Sequence, residues 1–118
     1  MSSTAFDISA SGIQAAAVKM QASANNVANA NTSGYQAQRV DLVERPGGVE
    51  ARSGSVDAPN RADAAADAGR ASPVPPPSNV NLADEMVSAV ANENFYQANL
   101  QALKAADDMM GTLLDTSA

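Results

Sequence analysis

The ionisable side chains that could do chemistry in this chain of 118 residues come as neighbouring carboxylates: Asp41 and Glu44 in "DLVE", Asp84 and Glu85, Asp107 and Asp108. Acid and base catalysis by carboxylates needs two of them converging on one bond in different environments. Residues this close in sequence point in different directions on a helix or strand. The pairs therefore read as solvated faces. With no histidine and no cysteine, the chain has no imidazole or thiolate metal site, no histidine-based triad and no redox pair. Tyr35 and Tyr96 lack a neighbour that would activate a phenol and read as packing residues with a satisfied hydroxyl. The expectation is a protein that is not an enzyme and takes no cofactor, metal or small-molecule substrate.

Charge narrows the partners further. Seven basic against thirteen acidic residues give a formal net charge of −6, which opposes nucleic-acid binding because neutralising phosphates takes lysine and arginine. The helix faces lack the cationic stripe of membrane-surface helices, and no run approaches the ~20 apolar residues that span a bilayer. The start, "MSSTAFDISASG", lacks the basic and apolar regions of a signal peptide, so a route other than general secretion is expected.

The remaining concentration of polar side chains is amide. Asn25, Asn26, Asn29 and Asn31 crowd "NNVANANTSGYQ", although asparagine costs roughly half a kcal/mol against alanine within a helix. Two readings fit. One is a hydrated, frayed helix end finished by a Gly34 turn. The other is a contact between subunits that fixes register, because each amide offers both donors and an acceptor.

Two helices must carry these residues. Phe6, Ala10, Ile13, Ala17, Met20, Ala24 and Val27 recur in four-three steps, a heptad stripe, and the helix is expected to end between Asn29 and Asn31 near Gly34. A second helix opens at "NVNLADEM", where Asn81 can cap it and Asp84 and Glu85 suit the positive end of its dipole. Its stripe runs through Leu82, Met86, Ala89, Glu93, Tyr96, Leu100, Leu103, Asp107, Met110 and Leu114. Glu93 and Asp107 interrupt it, either as edges of an exposed helix or as partners of another chain's cation. Spanning Leu82 to Leu114, this helix is ~50 Å long against ~35 Å for the first, so it overhangs its partner.

Between the helices all six prolines, all five arginines and four of the seven glycines lie within residues 35–79, the composition of a loop or linker. "YQAQRVDLVE" alternates as a short strand, with Val40 and Leu42 on one face and Arg39 and Asp41 on the other. "DAPNRADAAADAGRASPVPPPS" has almost no large apolar side chain to offset the entropy of ordering, and "PVPPP" suits stiff polyproline II. Much of the 45% apolar content is alanine and four residues are aromatic, so a large self-contained core is not expected.

The two ends together resemble the bacterial flagellar rod and hook axial proteins, most closely the small proximal-rod proteins. That family has an apolar helix leading into Asn-Ile/Val-Ala-Asn and then Thr, Gly and Tyr, matched here by Asn26, Val27, Ala28, Asn29, Thr32, Gly34 and Tyr35. Its C-terminal pattern is matched by Val80, Asn81, Leu82, Ala83, Glu85, Met86 and Val87, then Tyr96, Gln97, Ala98 and Asn99, and finally Asp108, Met109, Leu113 and Leu114. Gln36 stands where the family often has lysine, and Asn94 and Phe95 where it often has a basic residue; the β-rich centre of hook members is missing.

The resemblance implies a fold dominated by α-helix: an antiparallel two-helix coiled coil of the N- and C-terminal helices, with a long irregular middle segment and a short β element. Residues 1–34 form the first axial helix and asparagine motif, 35–79 the linker and 80–118 the second axial helix. The implied function is a structural subunit of the flagellar basal-body rod, polymerising into a hollow axial drive shaft outside the cytoplasm. It would be carried there by the flagellar export apparatus without a cleaved signal peptide, with itself and other rod proteins as partners. A soluble coiled-coil adaptor or export chaperone that does not polymerise is the alternative. Phe6, Ile13, Met20, Val27, Leu82, Met86, Tyr96, Leu100, Leu103, Met110 and Leu114 are expected to form the intramolecular seam. Asn25, Asn26, Asn29, Asn31, Gly34, Tyr35, Gln97 and Asn99 are expected to touch other subunits.

If the middle segment only spans a distance, its reach matters and its side chains do not. Replacing residues 61–72 by a Gly/Ser mixture of equal length should then leave swimming nearly intact in a complemented strain; complete loss of motility would assign that segment a contact of its own.

Overall fold

The computed structural model describes residues 2–56 and 75–117. In chain order these form helix α1 (Ser2–Ala28), strands β1 (Gln38–Arg45) and β2 (Gly48–Ser55), and helix α2 (Leu82–Ser117). The expectations for the segment through Val74, including the first half of "PVPPP", lie outside the described residues. The helix-dominated character follows the sequence, and so do the end of α1 and both ends of α2, to within three residues. Asn81 caps α2, its Oδ1 accepting from the Ala83 N–H at 3.1 Å, which satisfies one of the donors that a helix start leaves open.

The helices lie side by side and antiparallel. Ser23 and Asn26 of α1 meet Glu85 of α2, Ala16 meets Asn92, and Gly12 meets Asn99. The spacing from Gly12 to Asn26 equals that from Glu85 to Asn99, so the register continues without a slip and Ser2 falls level with Met109. Residues 110–117 extend past α1 by roughly 12 Å at 1.5 Å per residue.

The seam between the helices differs from the expected one. On α1 it is formed by Ser9, Gly12, Ala16, Lys19, Ser23 and Asn26, a four-three series one position round from the apolar stripe. On α2 the half-buried or buried positions are Glu85, Ala89, Asn92, Asn99, Leu103, Ala106 and Met110. Of the residues expected in the seam, Ile13, Leu103 and Met110 are half-buried, whereas Phe6, Met20, Val27, Leu82, Met86, Tyr96, Leu100 and Leu114 are exposed. The reason is distance of approach. Glycine, alanine and serine let two helix backbones come closer than a Met or Leu stripe would, and the close approach brings backbone and amide groups within hydrogen-bonding reach. At Gly12 a Cβ would overlap Asn99 Oδ1, so this crossing tolerates no side chain unless Asn99 moves.

The middle segment is more ordered than its composition suggested. Residues 38–55 form an antiparallel hairpin, with Gln38 opposite Ser55 and Arg45 opposite Gly48. Pro46 and Gly47 make the turn; proline at the first central position and a glycine with φ of 92° at the second are the requirements of a type II turn. The strand expected at residues 35–44 is present, but Val40 is buried while Leu42 is exposed. Its partner β2 was not expected, because "GVEARSGS" has no alternation of large apolar residues. Contact with α1 supplies what the strand lacks. The Val49 N–H donates to Ser11 Oγ at 3.0 Å, and that hydroxyl donates to the Ile8 carbonyl at 2.7 Å. Gly48, at φ 149°, lies so close to Ser11 that a Cβ would overlap its hydroxyl.

The buried apolar residues among those described are Ala15, Ala16, Ala22, Ala37, Val40 and Ala106. A buried methyl returns about 0.8 kcal/mol, less than the ~1–2 kcal/mol that ordering one residue's backbone costs, so polar contacts have a large share in holding the pair together.

The two helical glycines should respond in opposite senses. Gly12→Val is expected to lower the stability of the helix pair by about 1–3 kcal/mol through overpacking. Gly111→Ala, where no atom lies within 4 Å of the new Cβ, should raise it by up to about 1 kcal/mol through helix propensity. Unfolding midpoints followed by circular dichroism measure both; a neutral Gly12→Val would mean that the helices are not closely apposed there.

Candidate functional site

The most highly connected side chain described is Asn26, which is 1% exposed. It lies in the last turn of α1, where the helix would otherwise offer free carbonyls to water. Its Nδ2 donates to the Gln38 carbonyl and to Glu85 Oε1, both at 2.8 Å. Its Oδ1 accepts from the Gln38 N–H at 2.7 Å and from the Tyr35 hydroxyl at 3.1 Å. Two donor hydrogens and two lone pairs are therefore all in use. One amide ties the end of α1 to the start of β1 and to the first turn of α2. Ser23 adds a second bond from α1, its hydroxyl donating to Glu85 Oε2 at 2.7 Å.

Around this node the chain turns sharply. Asn29 Nδ2 donates to the Asn25 carbonyl at 2.9 Å, occupying a carbonyl at the helix end, and Thr32 Oγ1 donates to Asn29 Oδ1 at 3.1 Å. The Thr32 N–H bonds the Asn29 carbonyl and the Tyr35 N–H the Thr32 carbonyl, so the helix unwinds through i to i−3 steps. Gly34 takes a φ of 78° that other residues rarely adopt. Its N–H donates to the Pro76 carbonyl at 2.6 Å, and Asn79 Oδ1 accepts from the Ala37 N–H at 2.6 Å. The segment leading into α2 is thus fastened to the turn that leaves α1.

The subunit-contact expectation requires correction at Asn26, the one buried position among those residues. Asn26 and the Tyr35 hydroxyl are committed within the chain, and Asn99, half-buried, faces Gly12 while its Nδ2 donates to the Phe95 carbonyl at 2.8 Å. Asn26, buried with every donor and acceptor in use, has none left to offer a neighbour. Asn29 and Gly34 likewise serve the turn. Asn25, Asn31 and Gln97 are exposed, with Gln97 Nε2 donating to Glu93 Oε1 at 3.3 Å. Glu93 and Asp107 are also exposed and sit at helix edges.

Three contributors escaped the sequence reading. Glu85 was assigned to the dipole of α2 and instead receives both α1 donors. Asn79 looked like linker. Asn92 is buried, its Nδ2 donating to the Ala16 carbonyl at 2.8 Å while its Oδ1 has no partner. The polar series Ser9, Gly12, Ala16, Lys19, Ser23 and Asn26 was the available signal, with the same four-three spacing as the apolar stripe beside it. Among the described residues no group of acidic side chains is placed to hold a metal ion, and no described helix is long and apolar enough to cross a membrane.

The node joins two stretches that comparison with protein families also singles out. The family described as "Flagella basal body rod protein" matches residues 6–36. The family described as "Flagellar basal body rod FlgEFG protein C-terminal" matches residues 78–116. The chain belongs to the flagellar basal-body rod proteins. No curated protein matches it. In this rod protein, the bonds from Ser23 and Asn26 to Glu85 run from one matched stretch to the other, and the hairpin lies between the two. Family membership makes it a structural component of the flagellar basal-body rod, with other basal-body proteins as its associates.

Asn26→Ala should destabilise the helix pair by about 3 kcal/mol, because it strands buried partners. Asn26→Asp, equal in shape, sets an acceptor against the Glu85 carboxylate and should cost more. Adding Glu85→Gln should restore part of that loss, since the new amide can donate where Asn26 did. Urea unfolding of the unsubstituted chain, Asn26→Asp, Glu85→Gln and the double variant gives the coupling; additive losses would mean that Asn26 and Glu85 are not bonded.

Proposed function

We propose that this rod protein is a non-catalytic subunit that polymerises through its terminal helices, paired as a coiled coil, into the hollow axial shaft of the basal body. The observation that carries this reading is the inversion of its helix surfaces. The polar and small residues face inward, whereas the heptad stripe with Phe6, Met20, Val27, Met86, Leu100 and Leu114 faces solvent. Large apolar side chains exposed in this number mark a protein-protein interface. Packing against copies of itself and other rod proteins buries it, and the exposed Asn25, Asn31 and Gln97 then lie where neighbours can bond them. Extra-cytoplasmic placement and passage through the flagellar export apparatus as an unfolded chain belong to the same reading. A small alanine core suits threading through a narrow channel.

The dilute chain should show helix content well below the half or more of its residues that α1 and α2 comprise, rising as concentration increases and filaments appear in electron micrographs. A cooperative, concentration-independent transition from a fully helical monomer, with no filaments at high concentration, would overturn the reading in favour of a soluble adaptor.

A further inference from the structure

Charge is unevenly placed along the chain. α1 carries Asp7 and Lys19, and the hairpin strands balance Arg39, Arg45 and Arg52 against Asp41, Glu44 and Glu50. α2 sets Asp84, Glu85, Glu93, Asp107, Asp108 and Asp115 against Lys104 alone. Most of the formal −6 therefore sits on one helix. The same helix bears the most exposed large apolar side chains: Met86, Val87, Val90, Met109, Leu113 and Leu114 are between 61% and 73% exposed, and no other large apolar residue described exceeds 48%. At about 3.6 residues per turn, Met86, Val90, Glu93, Asp108 and Asp115 fall within about 60° of one another, and all five are exposed. One face of α2 is thus apolar and acidic together, with a shallow hollow among Met86, Val87, Val90, Ala91 and Asn94.

We propose that this face of α2 docks a different protein, one that presents apolar side chains rimmed by lysine or arginine, and not another copy of this chain. A copy lacks the complementary surface. Among the described residues its cations are Lys19, Arg39, Arg45, Arg52 and Lys104, and Arg39 and Arg45 are already paired with Asp41 and Glu50. The hairpin face that carries the three arginines offers one large apolar residue, the half-buried Val43. A second α2 would set carboxylates against carboxylates at either end of the helix, and like charges brought together at an interface reject a partner. A cationic partner gains twice. It covers the exposed Met, Val and Leu side chains, and it neutralises carboxylates that include Asp115 in the last turn of α2, where no basic residue stands and the helix dipole favours a cation. The docking is independent of polymerisation, for which the neutral α1, with Phe6, Met20 and Val27 exposed, is available to copies of the chain.

Fluorescence anisotropy with a labelled helical peptide of leucine and lysine tests the docking, beside oligolysine of the same charge and a leucine–glutamate counterpart. The leucine–lysine peptide should bind the unsubstituted chain at low salt, and the other two should not. Glu93→Gln, Asp107→Asn, Asp108→Asn and Asp115→Asn together should weaken that binding by roughly tenfold or more. The same neutralised chain should self-associate more strongly in sedimentation, because α2 no longer repels α2. Val87→Gln with Val90→Gln, uncharged changes at exposed positions, should also weaken peptide binding. Equal binding of oligolysine would mean counterion attraction alone, equal binding of the glutamate peptide would mean unselective apolar contact, and an unchanged affinity in either variant would place the peptide elsewhere; each overturns the proposal. So would a neutralised chain that self-associates no more than the unsubstituted one, or assembly of unsubstituted chains that displaces the peptide, since a copy would then cover this face. Filaments that still take up the peptide support the docking and the shaft together, whereas peptide binding without filaments supports the docking and removes the shaft. Circular dichroism of each variant against the unsubstituted chain confirms that lost binding is not lost helix.

Discussion

The architecture turns on one buried amide. Without Asn26, the end of α1, the start of β1 and the first turn of α2 would share no common partner, because the apolar residues nearby are mostly alanines that pack equally well in several relative positions. Hydrophobic contact is non-directional. A hydrogen bond is not, and four of them converging on one side chain, with a charge-assisted one to Glu85, leave the three elements a single mutual arrangement. The cost of burying an amide is offset only when every donor and acceptor is matched, and here they are.

That constraint propagates along the seam. Once Asn26 and Ser23 hold Glu85, the antiparallel register is fixed, and positions further along must accept close backbones. Ser9, Gly12 and Ala16 do so on α1; Asn92 reaches across to the Ala16 carbonyl, and Asn99 fills the space that Gly12 leaves. The hairpin is held by the same logic at smaller scale, Ser11 taking the Val49 N–H while Gly48 yields the room. A two-stranded hairpin alone is marginal in water, so its order depends on α1 being where the node puts it.

Much of this was legible beforehand. The helix at Leu82 and its Asn81 cap follow from local rules, as does the turn at Gly34, and the family pattern at both ends was sufficient to anticipate rod membership. The seam was not, because a four-three apolar repeat signals which face is hydrophobic without saying what the face will meet. Phe6, Met20 and Val27 were placed inside the chain on the premise that apolar residues pair within it. The premise fails here because small and polar residues occupy the seam and leave those side chains exposed. Asn26 was read as outward for the complementary reason: asparagine is normally solvated, and nothing local announces that Gln38, Tyr35 and Glu85 will converge on it from three elements. The strand β2 depended on contacts with α1 that no window of its own sequence contains.

The two helix faces therefore divide the work by the kind of specificity each can provide. Interior bonds are short, directional and few, and they set the geometry of the pair while contributing little net free energy each, on the order of 1 kcal/mol. Exterior side chains are large and apolar, and they contribute free energy in proportion to the area removed from water, which is available only when something covers them. Moving the large apolar residues into the seam would give a more stable monomer with less to gain from neighbours. The observed distribution does the reverse. It sets the orientation of α1 and α2 with hydrogen bonds and leaves the larger apolar side chains exposed, most completely at the two ends of α2.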